Sequence, residues 1–246
     1  KEGYGYTVAT EMYSAGIDRL THQPLSFSVS ETTEGVHIHI IDAELMGKGE
    51  KEKKDLYIEG VQNNGIINHY EYIINSEGTI EIRHVLKPEG KMPLWFPRIG
   101  LTLTVSDALD QVKWYGRGPQ ENYPDRKTGY PMGIYASTVQ AMYEPYLMPQ
   151  DYGLRTDVRW LQLTTDKGIG LQFKMNEWFN FNIYPYSTDN LTKAMYTYQL
   201  QKQKGMTLNL DYATTGVGCT ARGVFGAYKA MPQEYRRTIS IRPMMK

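Results

Sequence analysis

Ile99-Gly100-Leu101-Thr102-Leu103-Thr104-Val105 alternates apolar with small or polar residues without a break. Successive side chains of a strand point to opposite faces, so this period puts Ile99, Leu101, Leu103 and Val105 on one face and glycine and threonine on the other. The pattern recurs along the chain. Val36, Ile38 and Ile40 alternate with His37 and His39, and Ile80, Ile82 and Val85 follow a turn at Gly78. Runs over 25–30, 69–74, 111–115, 156–164, 169–175, 206–212 and 236–242 also read as strands, with Gly, Pro, Asn or Asp in the gaps. Helix signals are few: Ser187 or Thr188 caps a short helix through Leu191 and Ala194, and the β-prone Tyr196–Leu200 limits it to about two turns. The expected fold class is all-β and antiparallel.

Composition narrows the function. Lys and Arg number 27 against 27 Asp and Glu, so the net charge is zero and the long-range field that draws nucleic acid or an anionic membrane is missing. Neither partner is expected. No apolar run approaches the roughly 20 residues that span a bilayer, and the first residues lack the apolar core of a secretory signal. One cysteine, Cys219, excludes an intramolecular disulfide and a thiolate zinc cage, and leaves the compartment open between cytoplasm and periplasm. Gly49–Asp55, rich in Lys and Glu, reads as a solvated hairpin tip. Tyr (20) and Trp (4) outnumber Phe (6) fourfold, which favours rings with a polar edge, suited to half-exposed strand positions or to sugar faces.

Chemistry-bearing motifs are mostly absent. His37 and His39 point the same way from one strand, yet no third histidine or carboxylate stands at a suggestive spacing, so a polar strand face is the reading and no metal or cofactor is expected. There is no G-x-S-x-G elbow, and Gly116-Arg-Gly118 and Gly216-Val-Gly218 lead into no helix that would cradle phosphate. From Trp114 to Trp160 the texture changes to a dense mixture of Gly, Pro, Tyr, Arg and Asp with little alternation. Long ordered loops of this kind usually carry function. A retaining glycosidase needs two carboxyl groups about 5–5.5 Å apart, and Glu121, Asp125, Glu144, Asp151, Asp157 and Glu177 are the local supply. Interleaved arginines point instead to ion-paired loop staples: Arg117, Arg126 and Arg159 with Glu121, Asp125 and Asp157. Candidate sugar contacts are Tyr123, Asn122, Tyr146, Arg155 and Trp178, where flat rings for C–H faces lie near planar polar groups for hydroxyls.

Three runs then occur in order: Trp114–Gly129 (WYGRGPQENYPDRKTG), Tyr143–Gln150 (YEPYLMPQ) and Gly153–Leu161 (GLRTDVRWL). Together with Ala15–His22, Leu94–Leu103, Gly170–Phe173 and Thr214–Gly218, the chain resembles the C-terminal domain of glycoside hydrolase family 2 β-galactosidases of the LacZ type. The resemblance implies a large antiparallel β-supersandwich of the galactose-mutarotase-like kind. It further implies that residues 1–246 are one domain, the C-terminal portion of a longer enzyme without the first strands of the family domain. The family's acid/base and nucleophile glutamates lie on a separate barrel, so no catalytic residue is expected here. The implied partners are that catalytic barrel and a galactoside, with a homo-oligomer left open. The family tryptophan that reaches the sugar aligns with Gly223. An independent carbohydrate-binding or mutarotase-like module is the alternative reading.

Overall fold

A computed structural model describes residues 17, 20–46, 65–218 and 223–245. Gly49–Asp55, Cys219 and half of Ala15–His22 (Ala15, Gly16, Asp18 and Arg19) lie outside the described residues. Among the described residues the chain forms eleven strands: β1 (Thr21–Thr32), β2 (Gly35–Leu45), β3 (Gly65–Ile74), β4 (Ile80–Glu89), β5 (Arg98–Val105), β6 (Gln111–Arg117), β7 (Met132–Thr138), β8 (Arg155–Thr164), β9 (Gly170–Tyr184), β10 (Met206–Thr214) and β11 (Tyr235–Met244). Every pairing is antiparallel. The fold is therefore all-β, as the alternation implies.

The single α-helix among the described residues, α1 (Thr188–Lys193), starts where the sequence places it. Ser187 is its N-cap, accepting the Asn190 amide at 3.0 Å and satisfying one of the free donors of the first turn. Among the described residues no helix is long and apolar enough to cross a membrane.

The strand order β1-β2-β3-β4-β11-β9-β8-β6-β7 branches at β9, because β10 pairs both with β9 and with β5. β8 lines one edge of β9. On the other edge Gly170–Met175 pair with β11, whereas Asn180–Tyr184 pair with β10. One strand thus belongs to two sheet segments that diverge between these halves. β8 follows the bend with two register irregularities, and within the first of them, between Arg155 and Val158, Asp157 adopts φ +57°, rare outside glycine.

Divergence lets the segments pack on each other. Ile82 and Leu86 of β4 and Tyr235 and Ile239 of β11 join Phe96, Ile99 of β5 and Tyr212 of β10 in one apolar cluster. A second cluster is enclosed by β5, β6, β8, β9 and β10, with Trp114, Leu161, Phe173, Phe181, Leu208 and Leu210 at its centre. A polar chain also crosses the layers: Asn68 Nδ2 donates to Asp42 at 2.9 Å, and the His84 ring lies 3.1 Å from Asn68 Oδ1 and 2.7 Å from the Tyr212 hydroxyl.

Two elements differ from the sequence reading. β7, Met132-Gly-Ile-Tyr-Ala-Ser-Thr138, breaks up the supposedly irregular 114–160 stretch; it ends the strand order, pairs only with β6 and leaves Ile134 62% exposed, so no buried face imposes alternation. β9 continues to Tyr184, nine residues past its expected end at 175. By contrast β1 lies at the opposite end of the order with most residues exposed on both faces, Phe27 at 69%.

These environments set opposite responses to truncation. Phe181→Ala, at a fully buried position of β9, is expected to cost about 3–5 kcal/mol in urea denaturation. Phe27→Ala on β1 is expected to change stability by less than about 0.5 kcal/mol.

Candidate functional site

β10 carries Thr207, Asn209 and Asp211 on one face and Met206, Leu208 and Leu210 on the other. In sequence this alternation predicts a half-solvated strand, yet Thr207, Asn209 and Asp211 are only 5%, 1% and 1% exposed. Their polar atoms are satisfied by neighbouring strands and by a covering loop. Register places Asn182 and Tyr184 of β9 opposite Asn209 and Thr207, and Thr102 of β5 opposite Asn209 from the other side. Asn209 Nδ2 donates to Asn182 Oδ1 at 2.8 Å and to the Tyr184 hydroxyl at 3.1 Å, while Thr102 donates to Asn209 Oδ1 at 2.8 Å.

The loop before β8 covers this row. Asp151 Oδ1 accepts bonds from Asn182 Nδ2 at 2.9 Å, Tyr184 at 3.1 Å and Arg98 Nη1 at 3.3 Å. Arg98, at the head of β5, reaches back with Nη2 to Asp211 Oδ2 at 2.9 Å and Asn182 Oδ1 at 3.3 Å. Its guanidinium fork therefore joins a fully buried carboxylate to one whose side chain is 46% exposed. Burial pushes the Asp211 carboxyl up to about 6, against the opposing pull of Arg98. Chemically, the rim at Arg98 and Asp151 offers a planar donor beside an acceptor, the pairing that adjacent hydroxyl groups accept.

The residues expected to meet sugar fall into two sets. Asn122 is buried, accepts the Thr156 amide at 3.1 Å and hydroxyl at 2.5 Å, and gives Nδ2 to the Gln120 carbonyl at 3.0 Å. Tyr123 is buried and donates to Glu121 at 3.2 Å. Arg155 is buried under the 121–123 turn, with its guanidinium 5.4 Å from the Trp114 ring and Nη1 on the Gly153 carbonyl at 2.9 Å. Burial, opposed by Glu121 and Glu144, brings it down to about 10. These three are internal braces rather than a presented surface. Tyr146 is half-buried and donates to Glu121. Trp178 is 60% exposed and sits under the Arg159 guanidinium at 3.3 Å.

The loop staples are more varied than arginine–carboxylate pairs. Arg117 Nε binds Asp157 at 2.6 Å, Lys127 Nζ binds the same carboxylate at 2.9 Å, and Arg117 Nη1 reaches the Lys127 and Tyr130 carbonyls at 3.1 and 2.9 Å. Glu121 is held by Tyr146, Tyr123 and the Gly153 amide, with no arginine in hydrogen-bond contact among the described residues. Asp125 accepts the Val217 and Gly218 amides at 3.1 and 2.7 Å. Gly216 permits that approach, since a Cβ there would fall 2.3 Å from the Asp125 carboxyl carbon. Arg126 stands 5.4 Å from the Tyr123 ring, and Arg159 gives Nη1 to the Asp157 carbonyl at 3.0 Å.

Sequence reasoning missed Arg98, Thr102, Asn209 and Asp211. The only signal was the period-two polar row Thr207-Asn209-Asp211, which has the same form whether water or a loop covers it.

An all-β antiparallel domain whose long loops are pinned on a buried polar face is thus defined by structure. Comparison with known proteins gives its kinship. The family model described as "Beta galactosidase small chain" matches residues 10–241. The chain belongs to that family. It is 38% identical over 147 residues to a β-galactosidase of Priestia megaterium, covering 60% of this chain and 14% of that enzyme. It is 31% identical over 207 residues to a β-galactosidase of Vibrio cholerae, covering 84% of this chain and 18% of that enzyme. The chain therefore spans less than a fifth of these relatives. Among solved structures, a GalM/aldose epimerase homologue from C. elegans aligns at TM-score 0.43 and 12% identity, over 89% of this chain and 69% of that one.

Arg98 and Asp211 supply two tests. Arg98→Met leaves Asp211 without its cation and is expected to cost about 3–5 kcal/mol at neutral pH, with much of the loss recovered on adding Asp211→Asn. The pH dependence has a definite sign: with the folded carboxyl near 6 and the unfolded one near 3.9, the folded state takes up a proton first as pH falls. Stability of the parent relative to Asp211→Asn should rise by about 2–3 kcal/mol between pH 7 and pH 4, measured by urea denaturation.

Proposed function

We propose that this chain is the noncatalytic small-chain portion of a β-galactosidase, walling one side of the sugar pocket while the catalytic carboxylates are supplied elsewhere in the enzyme. The reading rests on family membership and on the state of the carboxylates. Glu121, Asp125, Asp151, Asp157 and Glu177 are all engaged, by tyrosine hydroxyls, backbone amides, asparagine or cations. A nucleophile or general acid must keep an oxygen free toward substrate, and Glu121, Asp125 and Asp157 have both oxygens spent on loop geometry, whereas Asp151 and Glu177 are held by one. In the complete enzyme the reaction would be double displacement on a terminal β-galactoside, with this chain also supporting assembly with the barrel.

Direct sugar contact, on this reading, comes from the exposed rim and not from Asn122, Tyr123 or Arg155. Gly223 is exposed, with open space where a Cβ would stand, and Phe225 two residues later in the same loop is 71% exposed. Phe225 would offer the apolar ring that the family's tryptophan supplies at the position of Gly223.

Kinetics on a chromogenic β-galactoside should show no turnover by the 246-residue chain above buffer. Galactose titration followed by tryptophan fluorescence should show binding no tighter than millimolar, and Phe225→Ala in the complete enzyme should raise KM about 10-fold with little change in kcat. Turnover that survives purification and vanishes on replacing a carboxylate of this chain would refute the noncatalytic assignment.

A further inference from the structure

The outer face of β2 and β3 carries a cluster that the galactosidase reading leaves unused. His37 and His39 project from the same face of β2, and Glu71 of β3 lies directly opposite His39 in the ladder. Glu71 Oε1 is 3.4 Å from His37 Nδ1 and 4.0 Å from His39 Nε2, and one donor atom from each residue lies within 4.8 Å of the others. We propose that His37, His39 and Glu71 bind a divalent transition-metal ion of the zinc class.

Three features carry the assignment. Donor type comes first: two imidazoles and one carboxylate suit Zn²⁺ and its neighbours, whereas Mg²⁺ and Ca²⁺ take oxygen sets. Tetrahedral Zn²⁺ with bonds of about 2.0–2.1 Å needs donors about 3.4 Å apart. His37 Nδ1 and Glu71 Oε1 already stand at that spacing, and a side-chain rotation of His39, 49% exposed, brings in the third.

Orientation of the ligands is the second feature. Arg83 Nη1 holds Glu71 by its other oxygen, Oε2, at 3.1 Å, which turns Oε1 toward the histidines. Glu81 in turn takes Arg83 Nε at 2.8 Å. Outer partners of this kind fix a ligating carboxylate. His37 Nε2 is buried without a hydrogen-bond partner, and the Glu34 carboxylate is 3.9 Å from it. Metal on Nδ1 places the ring proton on Nε2, facing that carboxylate, the arrangement that raises an imidazole's basicity toward a metal.

Local charge is the third. Glu34, Glu71 and Glu81 set three carboxylates against the single guanidinium of Arg83, so the face favours a dication. Three protein ligands leave a fourth position for water or for a donor from another molecule. The sequence showed only the two histidines, because the third ligand comes from the neighbouring strand.

The test is isothermal titration of ZnSO₄ into the chelator-treated 246-residue chain, with Co²⁺ in parallel. One equivalent should bind, Co²⁺ should develop the visible d–d absorption of a low-coordinate site, and His39→Ala and Glu71→Gln should each weaken binding at least about 10-fold. His22→Ala, at an exposed histidine of β1, should leave affinity unchanged. Far-UV circular dichroism confirms that each variant is folded. Absence of binding at millimolar Zn²⁺, or one equivalent retained at full affinity in both ligand variants, would overturn the assignment. Turnover kinetics have no part in this outcome, so it stands or falls separately from the galactosidase reading.

Discussion

β9 has to serve two sheet segments, and most of the architecture follows from that constraint. Its first half pairs with β11 and its second with β10, while β8 stays alongside both. A flat ribbon cannot do this without bending, and the irregularities of β8 around Asp157 absorb the bend. The diverging segments cover one face of the strand and the loop before β8 the other, which is why Phe181 through Tyr184 are buried on both. Burial on both faces forces a choice of chemistry. Phe181 and Ile183 join the apolar core, and Asn182 and Tyr184 must find hydrogen bonds on the other side.

That second face explains why a loop rich in arginine and proline is ordered at all. Asn182, Asn209 and Asp211 have polar atoms that water cannot reach, so Asp151, Tyr152 and Arg98 are drawn onto them. Once Asp151 is fixed, Gly153 with φ +76° carries the chain back toward Glu121, and the 121–126 turn closes over Arg155. Burial here imposes opposite pH dependences. His84, brought down to about 4 by burial with His69 adding to the shift, loses stabilising contribution as pH falls from about 6.5, while Asp211 gains it as pH falls below about 6. The two slopes oppose each other across mildly acidic pH, and comparison with an Asp211 variant separates them because His84 is common to both proteins.

Strand existence was legible in the sequence wherever exactly one face is buried. Ile99–Val105 alternates because solvent or a polar layer lies on one side and apolar packing on the other. β7, an end strand with exposed Ile134, has no buried face to impose a period and does not read as a strand; β10 reads as a strand, but it is buried on both faces, so its polar row imitates a wet one. Long-range partners were beyond reach for a different reason. Nothing local to Glu121 distinguishes a tyrosine hydroxyl from a guanidinium as its partner, and nothing near Arg98 points to Asp211; the fold, through register and the β9 branch, makes those choices. Kinship was legible because the loop-rich runs carry many Gly, Pro, Arg and Asn residues whose positions are set by backbone geometry.

The same geometry bears on what loops of this kind are for. A catalytic loop keeps charged groups available and accepts the cost in stability; a supporting loop spends them. In this chain Asp157 neutralises Arg117 and Lys127, Asp125 closes over two backbone amides, and Glu121 gathers two phenols and an amide. Each bond fixes a side chain whose reactivity is thereby lost. Among the groups that stay exposed are two rings: Trp178 beneath Arg159, and Phe225 beside the open position at Gly223. Rings on a rigid frame can shape a pocket without reacting in it, since they supply flat contact area and little conformational entropy remains to be lost on binding. The division between spent carboxylates inside and presented rings outside is the physical form that the proposed supporting role would take in this fold.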